Sequence, residues 1–399
     1  MLRLCASVTT IQHLMGIKIR PCFSLHRKLT RSHRAVGAVR WMSSCRPAPV
    51  LTAAPVRALI DEQIRIKGHL LPPSSPVTVC ARMHSDDGDL WEAFAHYNTN
   101  ADGTVNLTRD NSVGGSYLGC EPMGKFESFM STCCSFHRLR EKNVETPYLY
   151  HISVLDGHVS PSEAQGAELA AVTAERWYMA PGVRRIEIRQ NALVGTLFLP
   201  PGPGPFPAML DLWGMGGGLV EYRSALFASR GYASFSLAYI GHKELPGPRN
   251  CLNVDDSYFK SAFHLLQDHH QICADRVGVI GLSYGGYQTL RIATQTGVKP
   301  SCLICINGPV GSFIRIPDAD GRTESPESEP TYWTLTDQGF LTFNEVSLPA
   351  NVYPGSIVKI ENLNCPLMNI EGEDDLNMAS RENANLADIF FHHICYNCP

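Results

Sequence analysis

The chain has 399 residues, of which 44% are hydrophobic and 18% are charged, and this composition provides ample apolar material for a core. Its formal net charge at pH 7 is −4, and no run of about 18 apolar residues occurs, so we expect no membrane-spanning helix. The length predicts two domains, which follow an N-terminal extension.

The charges are distributed unevenly along the chain. Residues 1–60 contain ten lysines and arginines and no acidic residue, whereas the rest of the chain carries 24 basic and 38 acidic residues. A basic, serine-containing and acid-free N-terminus is typical of a mitochondrial transit peptide. We assign residues 1–45 to this peptide, with removal between Arg40 and Cys45; a disordered basic tail or a nucleic-acid-binding arm is the alternative.

The transit peptide predicts a location in the mitochondrial matrix, with the cytoplasm or the peroxisome as alternatives. The C-terminal residues "NCP" are not a peroxisomal signal. The acidic character of the chain after residue 60 argues against a nucleic-acid-binding protein, which would need a basic surface. The sequence does not predict the oligomeric state.

The 14 cysteines have no spacing that indicates a disulfide framework, and reduced thiols are typical of an intracellular protein. The motif "CYNC" at 395–398, close to His392 and His393, offers half of a zinc site. A structural zinc site needs four ligands in a closed shell. We therefore expect no bound metal, and nothing in the sequence implies a cofactor.

Residues 50–185 have the features of a β-rich N-terminal domain. Short segments rich in β-branched and aromatic residues alternate there with Gly, Asp, Asn and Pro. The predicted strands are residues 77–83, 89–99, 104–110 and 148–157. This density of short strands and turns predicts an immunoglobulin-like β-sandwich of about 130 residues.

Residues 186–399 follow a different pattern, in which apolar strands alternate with amphipathic helices. The predicted strands are residues 208–214, 232–240, 277–283, 301–308 and 366–375, and the predicted helices are residues 219–231, 254–270 and 287–297. This alternation predicts a mostly parallel sheet with helices on both faces. Residues 309–360 lack strong periodicity and are predicted to form a lid or an insertion.

The segment "VGVIGLSYGGYQTL" (277–290) contains the first indication of chemistry. Its G-x-S-x-G pattern places Ser283 between a strand and a helix, as in the nucleophile elbow of α/β-hydrolases. Gly281 and Gly285 lack the side chains that would collide in such a turn, and the helix directs its positive end at a developing oxyanion. The pattern predicts Ser283 as a nucleophile, with a structural glycine turn as the alternative.

The segment "WGMGGG" (213–218) follows an apolar strand, two strands before this elbow. Acyl transfer requires two N–H donors directed at the oxygen of the tetrahedral intermediate. Tyr284, the residue after the nucleophile, is the first predicted donor, and Met215 or Gly216 is the second. A plain glycine turn is the alternative interpretation of this segment.

The segment "EGEDDLN" (371–377) ends a late predicted strand. In α/β-hydrolases the acid of the triad occupies this place and precedes the histidine in sequence. We favour Asp375 over Asp374 as the acid, with a solvated acidic turn as the alternative. Only His392 and His393 follow it, at the end of a predicted helix rather than in the loop after a final strand, and they are the remaining candidates for the base.

Four earlier histidines stand in the wrong order for this triad, because they precede the acid. They are His242, His264, His269 and His270. We interpret them as surface or packing residues.

Several stretches of the chain together resemble one family. They are "GGSYLGCEPMG" (114–124), "YLYHISVLDGH" (148–158), the segment 181–239, "GLSYGG" and "GEDD". Over residues 50–385 the chain resembles the acyl-CoA thioesterases and bile acid-CoA:amino acid N-acyltransferases. The resemblance implies a β-sandwich followed by an α/β-hydrolase domain, with Ser283 as the nucleophile and Asp375 as the acid.

The histidine of this family lies in a loop after the final strand, which the sequence does not reach, so the resemblance implies a C-terminally truncated member. Family members that act as acyltransferases carry cysteine as the nucleophile. Serine therefore implies hydrolysis of fatty acyl-CoA to free fatty acid and CoA through a serine acyl-enzyme. The alternatives are a catalytically impaired truncated isoform that binds acyl-CoA, or another serine esterase or peptidase of the α/β-hydrolase fold.

Overall fold

The computed structural model describes residues 47–120, 130–131, 143–160, 167–247, 252–313, 334–336, 341–373 and 375–387. The predicted transit peptide, Asp374 and the candidate bases His392 and His393 lie outside these residues. Among the helices that are described, none is long and apolar enough to cross a membrane. The chain divides into two compact units: residues up to 140 with Pro147–Trp177, and residues 141–146 with those from Tyr178 onwards.

The N-terminal unit is built from β-strands. Its described strands are β1 Val50–Ala54, β2 Arg57–Leu59, β3 Arg65–His69, β4 Pro76–His84, β5 Leu90–Asn98, β6 Val105–Asn106, β7 Gly114–Gly115, β8 Met130–Ser131, β9 Tyr148–Asp156 and β10 Glu168–Trp177. In β5 every second side chain, from Trp91 to Tyr97, is buried. This period of two is the expected pattern of a strand with one face in a core.

Two sheets make up this unit among its described residues. The smaller has the order β1-β3-β6, and the larger has the order β2-β10-β9-β4-β5-β7, with β8 also paired to β5. The pairs β4–β5, β4–β9 and β9–β10 are antiparallel. Two sheets are what a β-sandwich requires, and the immunoglobulin-like character of this unit stays a prediction.

The predicted strand at 104–110 is wrong over most of its length. Only Val105–Asn106 form a strand, and a turn follows them. The Asn106 side chain accepts a hydrogen bond from the backbone N–H of Thr108 at 3.2 Å, and the Asp110 carboxylate accepts one from the Asn106 N–H at 2.7 Å. Short polar side chains that bind nearby backbone groups compete in this way with strand pairing.

Strand β10 is not evident from the sequence. Its ten residues include three alanines and three charged residues, both of which are depleted in strands. Most of its side chains are only partly buried. The strand forms because both of its edges are paired, with β9 on one side and β2 on the other.

The C-terminal unit alternates strands and helices. Its described strands are β11 Arg184–Ile188, β12 Gly195–Leu199, β13 Phe206–Leu212, β14 Ala233–Leu237, β15 Ile272–Leu282, β16 Leu303–Ile306, β17 Thr334–Leu335, β18 Leu341–Thr342 and β19 Leu367–Ile370. Its described helices are α1 Tyr222–Ser229, α2 Asp256–Gln267 and α3 Tyr284–Gln295, and residues 380–387 are also helical. Single 3-10 turns occur at Pro354–Ser356 and Ile360–Asn362.

Seven of these strands form one sheet in the order β11-β12-β14-β13-β15-β16-β19. The neighbours from β14 to β19 are parallel, and β11 and β12 join the sheet in antiparallel pairs. The predicted α/β-hydrolase fold is confirmed by this architecture. Because the carboxyl ends of parallel strands meet at one edge, the loops after β13, β15, β16 and β19 converge there.

Helix α2 illustrates how the sequence determines this unit. Asp255 caps its first turn by accepting a hydrogen bond from the backbone N–H of Tyr258 at 3.2 Å. The apolar residues that follow at helical spacing are all buried; they are Tyr258, Phe259, Ala262, Phe263 and Leu266. The predicted helix at 254–270 is therefore confirmed, with ends a few residues shorter.

Candidate active site

Ser283 lies between the end of β15 and the start of α3, and its backbone conformation is unusual. Its φ of 55° and ψ of −125° belong to a region that residues with a β-carbon rarely adopt. The strand next to it holds this turn, because the Ser283 N–H donates to the Ile306 carbonyl at 2.8 Å. The Ser283 carbonyl accepts from the Gly286 N–H at 2.8 Å. The sequence-predicted elbow therefore has the strand, the strained residue and the helix in the expected order.

Glycine is required on both sides of Ser283 because backbone atoms approach closely. A β-carbon on Gly281 would lie 2.0 Å from the carbonyl oxygen of Gly285. A β-carbon on Gly285 would lie 2.5 Å from the carbonyl oxygen of Trp213 and 2.6 Å from that of Leu212. The second glycine of the motif thus allows the start of α3 to pack against the strand that precedes the glycine-rich segment.

The glycine-rich segment lies directly against Ser283. A β-carbon on Gly214 would be 3.0 Å from the Ser283 β-carbon and 3.4 Å from its Oγ. A turn follows, in which the Gly217 N–H donates to the Gly214 carbonyl at 3.1 Å. Met215 therefore follows a residue that touches the serine, and Gly216 lies within the same turn. Sequence reasoning did not single out Gly214, although a glycine directly after a buried strand is a recognisable indication of close approach.

Tyr284 begins helix α3, so its backbone N–H has no acceptor within the helix. The side chain is fully buried, and its hydroxyl lies 3.2 Å from Ser312 Oγ. Burial raises the pKa of this hydroxyl above its ordinary value. The side chain therefore serves as a neutral anchor, and the backbone N–H at the start of the helix is the group available for the predicted oxyanion role.

A buried ion pair lies at the end of β13, before the glycine-rich segment. Arg223 Nε donates to Asp211 Oδ1 at 2.9 Å, and Ser224 Oγ donates to Asp211 Oδ2 at 2.9 Å. The guanidinium also donates to the Leu212 carbonyl at 3.0 Å and lies 5.6 Å from the centre of the Trp213 ring. The pair is buried on both sides, so removal of either partner would leave an uncompensated charge in the core.

Asp375 lies in the loop after β19, and four groups donate hydrogen bonds to its carboxylate. Oδ1 accepts from the backbone N–H groups of Asn377 and Met378, at 2.9 and 3.1 Å. Oδ2 accepts from Asn307 Nδ2 at 2.7 Å and from Ser380 Oγ at 2.5 Å. A carboxylate offers about four lone-pair sites. An imidazole N–H at this carboxylate would therefore displace one of these donors or share its oxygen.

Asn307 connects the end of β16 to this acid loop. Its Oδ1 accepts from the Gly372 N–H at 2.8 Å, and its backbone N–H donates to the Ile370 carbonyl at 2.8 Å. Its φ is 48°, in the left-handed region. Sequence reasoning missed this residue; an asparagine that directly follows a buried strand and precedes a glycine was the available indication.

Ser283 and Asp375 follow strands that are separated by one strand, β16. Two strand spacings correspond to about 10 Å. The structure therefore brings these two predicted residues to the same edge of the sheet.

The earlier histidines are distributed over both edges of this sheet. His269 and His270 stack on each other before β15 begins, about 30 Å from Ser283 along that strand. His264 lies in the last turn of α2, near the same end. His242 follows β14 at the edge where Ser283 lies, and its Nδ1 accepts from the Glu244 N–H at 3.2 Å. This contact leaves the proton of a neutral His242 ring on Nε2, the tautomer that cannot accept a proton there.

Residues 61–190 match the family described as acyl-CoA thioester hydrolase/BAAT N-terminal region, and residues 254–389 match BAAT/acyl-CoA thioester hydrolase C terminal. Acyl-coenzyme A thioesterase 2, mitochondrial, of Mus musculus is 35% identical over 326 residues, which cover 81% of this chain and 70% of that protein.

The chain belongs to the acyl-CoA thioesterase and bile acid-CoA:amino acid N-acyltransferase family.

Other relatives carry both names of this thioesterase/acyltransferase family. Bile acid-CoA:amino acid N-acyltransferase of Mus musculus is 32% identical over 345 residues, covering 84% of this chain and 80% of that protein. The peroxisomal succinyl-coenzyme A thioesterase of Mus musculus is 38% identical over 269 residues, covering 67% of this chain and 62% of that protein. The resemblance to the family, predicted from the motifs, is confirmed.

Two further matches are weaker. Residues 142–316 also match the X-Pro dipeptidyl-peptidase (S15) family. The α/β-hydrolase GrgF of Penicillium sp. sh18 superposes with a TM-score of 0.37 at 15% identity, covering 53% of this chain and 86% of that one. The matched C-terminal region of the thioesterase/acyltransferase family contains both Ser283 and Asp375. The peptidase match contains Ser283 but stops at residue 316, before Asp375.

Proposed function

We propose that the chain is a thioester hydrolase that converts fatty acyl-CoA to free fatty acid and CoA, with Ser283 as the nucleophile. The observation that carries this proposal is the geometry around Ser283 in a member of the thioesterase/acyltransferase family. The serine occupies a strained turn with Gly214 against it and the start of α3 behind it. Relatives whose names state acyl-CoA thioesterase activity share this part of the chain.

The first half of the reaction forms an acyl-enzyme. A general base removes the Ser283 hydroxyl proton as Oγ attacks the thioester carbonyl carbon, and the carbonyl electrons move to oxygen. The N–H groups of Tyr284 and of Met215 or Gly216 stabilise that oxyanion. The C–S bond then breaks, and the departing CoA sulfur takes the serine proton from the base, which frees the base for the second half of the reaction.

The second half hydrolyses the acyl-enzyme. A water molecule loses a proton to the same base and attacks the ester carbon, and the Ser283 oxygen leaves and regains a proton. We propose His392 or His393 as the base, with Asp375 stabilising the imidazolium form. Both histidines lie outside the described residues, so this assignment rests on their order in the sequence.

One observation favours a second candidate function, the binding of acyl-CoA without hydrolysis. The Asp375 carboxylate already accepts four hydrogen bonds from its own loop, from Ser380 and from Asn307. A carboxylate occupied in this way acts as an anchor of the loop and does not need a histidine. Loss of the base would lower the rate by about 10³–10⁶-fold, as in other triad knockouts.

The experiment that tests the main proposal measures thiol release from a series of acyl-CoAs of increasing chain length, with the full chain and with Ser283→Ala. We expect release by the parent and a loss of at least about 10³-fold in the variant. His392→Ala and His393→Ala then identify the base. If the parent binds acyl-CoA in calorimetry but releases no thiol, hydrolysis is refuted and the binding function is supported.

The location is proposed as mitochondrial. The relatives include proteins named as mitochondrial and as peroxisomal, and the proposal rests on the basic, acid-free residues 1–45 of this chain. A fluorescent protein fused after residue 45 should accumulate in mitochondria. The same fusion with the seven arginines and lysines from Arg3 to Arg34 changed to glutamine should not; equal distribution of both fusions would refute the proposal.

A further inference from the structure

Three successive carbonyl groups at the start of the glycine-rich segment each have a hydrogen-bond donor. The Leu212 carbonyl accepts from Arg223 Nη2 at 3.0 Å. The Trp213 carbonyl accepts from the hydroxyl of Tyr239. The Gly214 carbonyl accepts from the Gly217 N–H at 3.1 Å. The middle donor is the side chain of Tyr239, which lies just after β14.

Fixing a carbonyl also fixes the N–H group that follows it. The peptide unit is planar and trans, so the N–H points in the opposite direction to the C=O of the same unit. The bond from Tyr239 to the Trp213 carbonyl therefore determines where the Gly214 N–H points. The bond from Gly217 to the Gly214 carbonyl determines where the Met215 N–H points. Both N–H groups flank the α-carbon that lies against Ser283.

The surroundings of Tyr239 hold its hydroxyl in the hydrogen bond to the Trp213 carbonyl. Tyr239 lies just after β14, its side chain is only 2% exposed, and its ring packs against that of Phe259 with centroids 5.6 Å apart. Burial raises the pKa of its hydroxyl well above the ordinary value, which keeps the group protonated as a hydrogen-bond donor near neutral pH. A ring enclosed in this way cannot move its hydroxyl to another acceptor.

The Trp213 carbonyl is also confined from the other side. A β-carbon on Gly285 would be 2.5 Å from it, so the start of α3 lies directly against this oxygen. The carbonyl therefore sits between the Tyr239 hydroxyl and the helix that carries Ser283. Without the hydroxyl, the part-buried carbonyl would lose this donor, and rotation of its peptide unit towards another donor would reorient the Gly214 N–H.

We propose that Tyr239 is a positioning residue for the oxyanion site: through the Trp213 carbonyl it fixes the peptide unit that ends at the Gly214 N–H, directly before the candidate donor Met215. Its effect on catalysis rests on the proposed thioesterase function, whereas its effect on the glycine-rich segment does not. Tyr239 touches neither the substrate nor Ser283 in this role. It holds the segment in the conformation that receives the negative oxygen of the tetrahedral intermediate.

The test compares Tyr239→Phe with Tyr258→Phe. Both changes remove one oxygen from a buried tyrosine of the same unit and leave the ring in place. The Tyr258 hydroxyl donates to the Ala238 carbonyl at 2.6 Å and accepts from the Val194 N–H at 3.1 Å, so its loss costs backbone partners outside the glycine-rich segment. Similar losses of thermal stability are expected in the two variants.

Two measurements separate positioning from a merely structural role. In hydrogen–deuterium exchange, a peptide that spans residues 213–218 should exchange at least about tenfold faster in Tyr239→Phe than in the parent or in Tyr258→Phe, because a pinned segment becomes mobile. In thiol-release assays, kcat should fall by about 10–100-fold in Tyr239→Phe with KM unchanged, short of the 10²–10³-fold loss on removing an oxyanion donor outright. Tyr258→Phe should keep the parent kcat.

The possible outcomes distinguish failure of the positioning role of Tyr239 from failure of the thioesterase function. Unchanged exchange of residues 213–218 in Tyr239→Phe overturns the positioning role whether or not the parent is active. Faster exchange with an unchanged kcat also overturns it. If exchange is faster in Tyr239→Phe and the parent releases no thiol, the thioesterase function is refuted while the control of the segment by Tyr239 stands.

Discussion

The two ends of the candidate site are held by different means. Ser283 follows β15, which pairs with β13 on one side and β16 on the other and buries most of its apolar residues. Asp375 follows β19, which pairs with β16 and leaves Met368 and Asn369 exposed. Backbone packing fixes the serine, whereas side-chain hydrogen bonds from Asn307 and Ser380 fix the acid.

This difference indicates how each end tolerates change. Contacts between backbone atoms cannot relax without moving strands, so an added side-chain atom at Gly281 or Gly285 should lower the stability of the unit strongly. A loop held by hydrogen bonds loses only the free energy of those bonds when a side chain is removed. Substitutions in the centre of the sheet should therefore destabilise the unit strongly. Substitutions at β19, the outermost strand in the described order, should have smaller effects.

The largest expected effect is that of Gly281→Ala. The new β-carbon would lie 2.0 Å from the Gly285 carbonyl oxygen and 2.2 Å from its carbon, so β15 and α3 would have to separate. We expect the free energy of unfolding to fall by about 3 kcal/mol or more, measured by urea denaturation. Gly355→Ala is the control, because nothing lies within 4 Å of its added β-carbon. Equal stability of the two variants would show that the elbow is not packed as described.

The second effect concerns Asn307→Gly at the acid end. Glycine accepts the φ of 48° but removes the amide that joins Gly372 to Asp375, at a cost of about 2 kcal/mol. Asn191→Gly is the matched control, since Asn191 also has a positive φ of 53° and is exposed. A loss in Asn307→Gly no larger than in Asn191→Gly would mean that the amide does not hold the loop.

Asn307→Asp extends this comparison to pH. The new carboxylate faces Asp375, so one of the two takes up a proton more readily in the folded than in the unfolded state and its pKa rises. Stability is then lost as the pH rises through this range and regained as it falls. We expect the deficit relative to Asn307→Gly to be larger at pH 7.5 than at pH 4.5 in urea titrations. A deficit independent of pH would place the new carboxylate away from Asp375.

The third expected effect is a difference in stability between Ser283→Gly and Ser283→Ala. Both variants lack the nucleophile, but only alanine retains a β-carbon at a φ of 55° and a ψ of −125°. Release of this strain should make the glycine variant about 1 kcal/mol more stable, after the greater chain entropy of glycine is subtracted. The difference in melting temperature measures it, and a more stable alanine variant would contradict a strained elbow.

The smallest effect is expected for Met368→Lys on β19. Met368 is 50% exposed at this edge of the sheet, and surface substitutions of this kind change stability by about 0.5 kcal/mol or less. Val279→Lys on β15 is the contrasting variant, because Val279 is fully buried and a lysine there would be charged in the core. A large loss in Met368→Lys would show that the β19 edge is covered.

The fold and the elbow could be predicted from the sequence because their causes are local. The period of apolar residues gives α2, and glycines flanking a serine between a strand and a helix give the turn at Ser283. Chain order alone placed Asp375 after the last strand of the sheet. The helix, the elbow and the position of the acid can each be recognised from neighbouring residues together with the general rules of parallel sheets.

The residues that hold the site were missed because their partners are distant in sequence. Asn307 binds a carboxylate 68 residues later, and Tyr239 binds a carbonyl 26 residues earlier. The local sequence marks Asn307 only as an asparagine between a buried strand and a glycine, and nothing near Tyr239 indicates that its hydroxyl binds a distant carbonyl. The strand prediction at 104–110 was wrong for the opposite reason. Local side-chain hydrogen bonds at Asn106 and Asp110 favour a turn over the strand that the alternating pattern indicates.

The position of Gly214 has a consequence for stereochemistry. Because this residue occupies one side of Ser283 Oγ, an electrophile must approach the oxygen from the remaining side, with its leaving group directed away from the glycine-rich segment. A phosphonate inhibitor with a chiral phosphorus presents its leaving group in that direction in only one of its two mirror-image forms. The two enantiomers should therefore react with Ser283 at different rates, because the backbone of Gly214 closes one side of the serine oxygen.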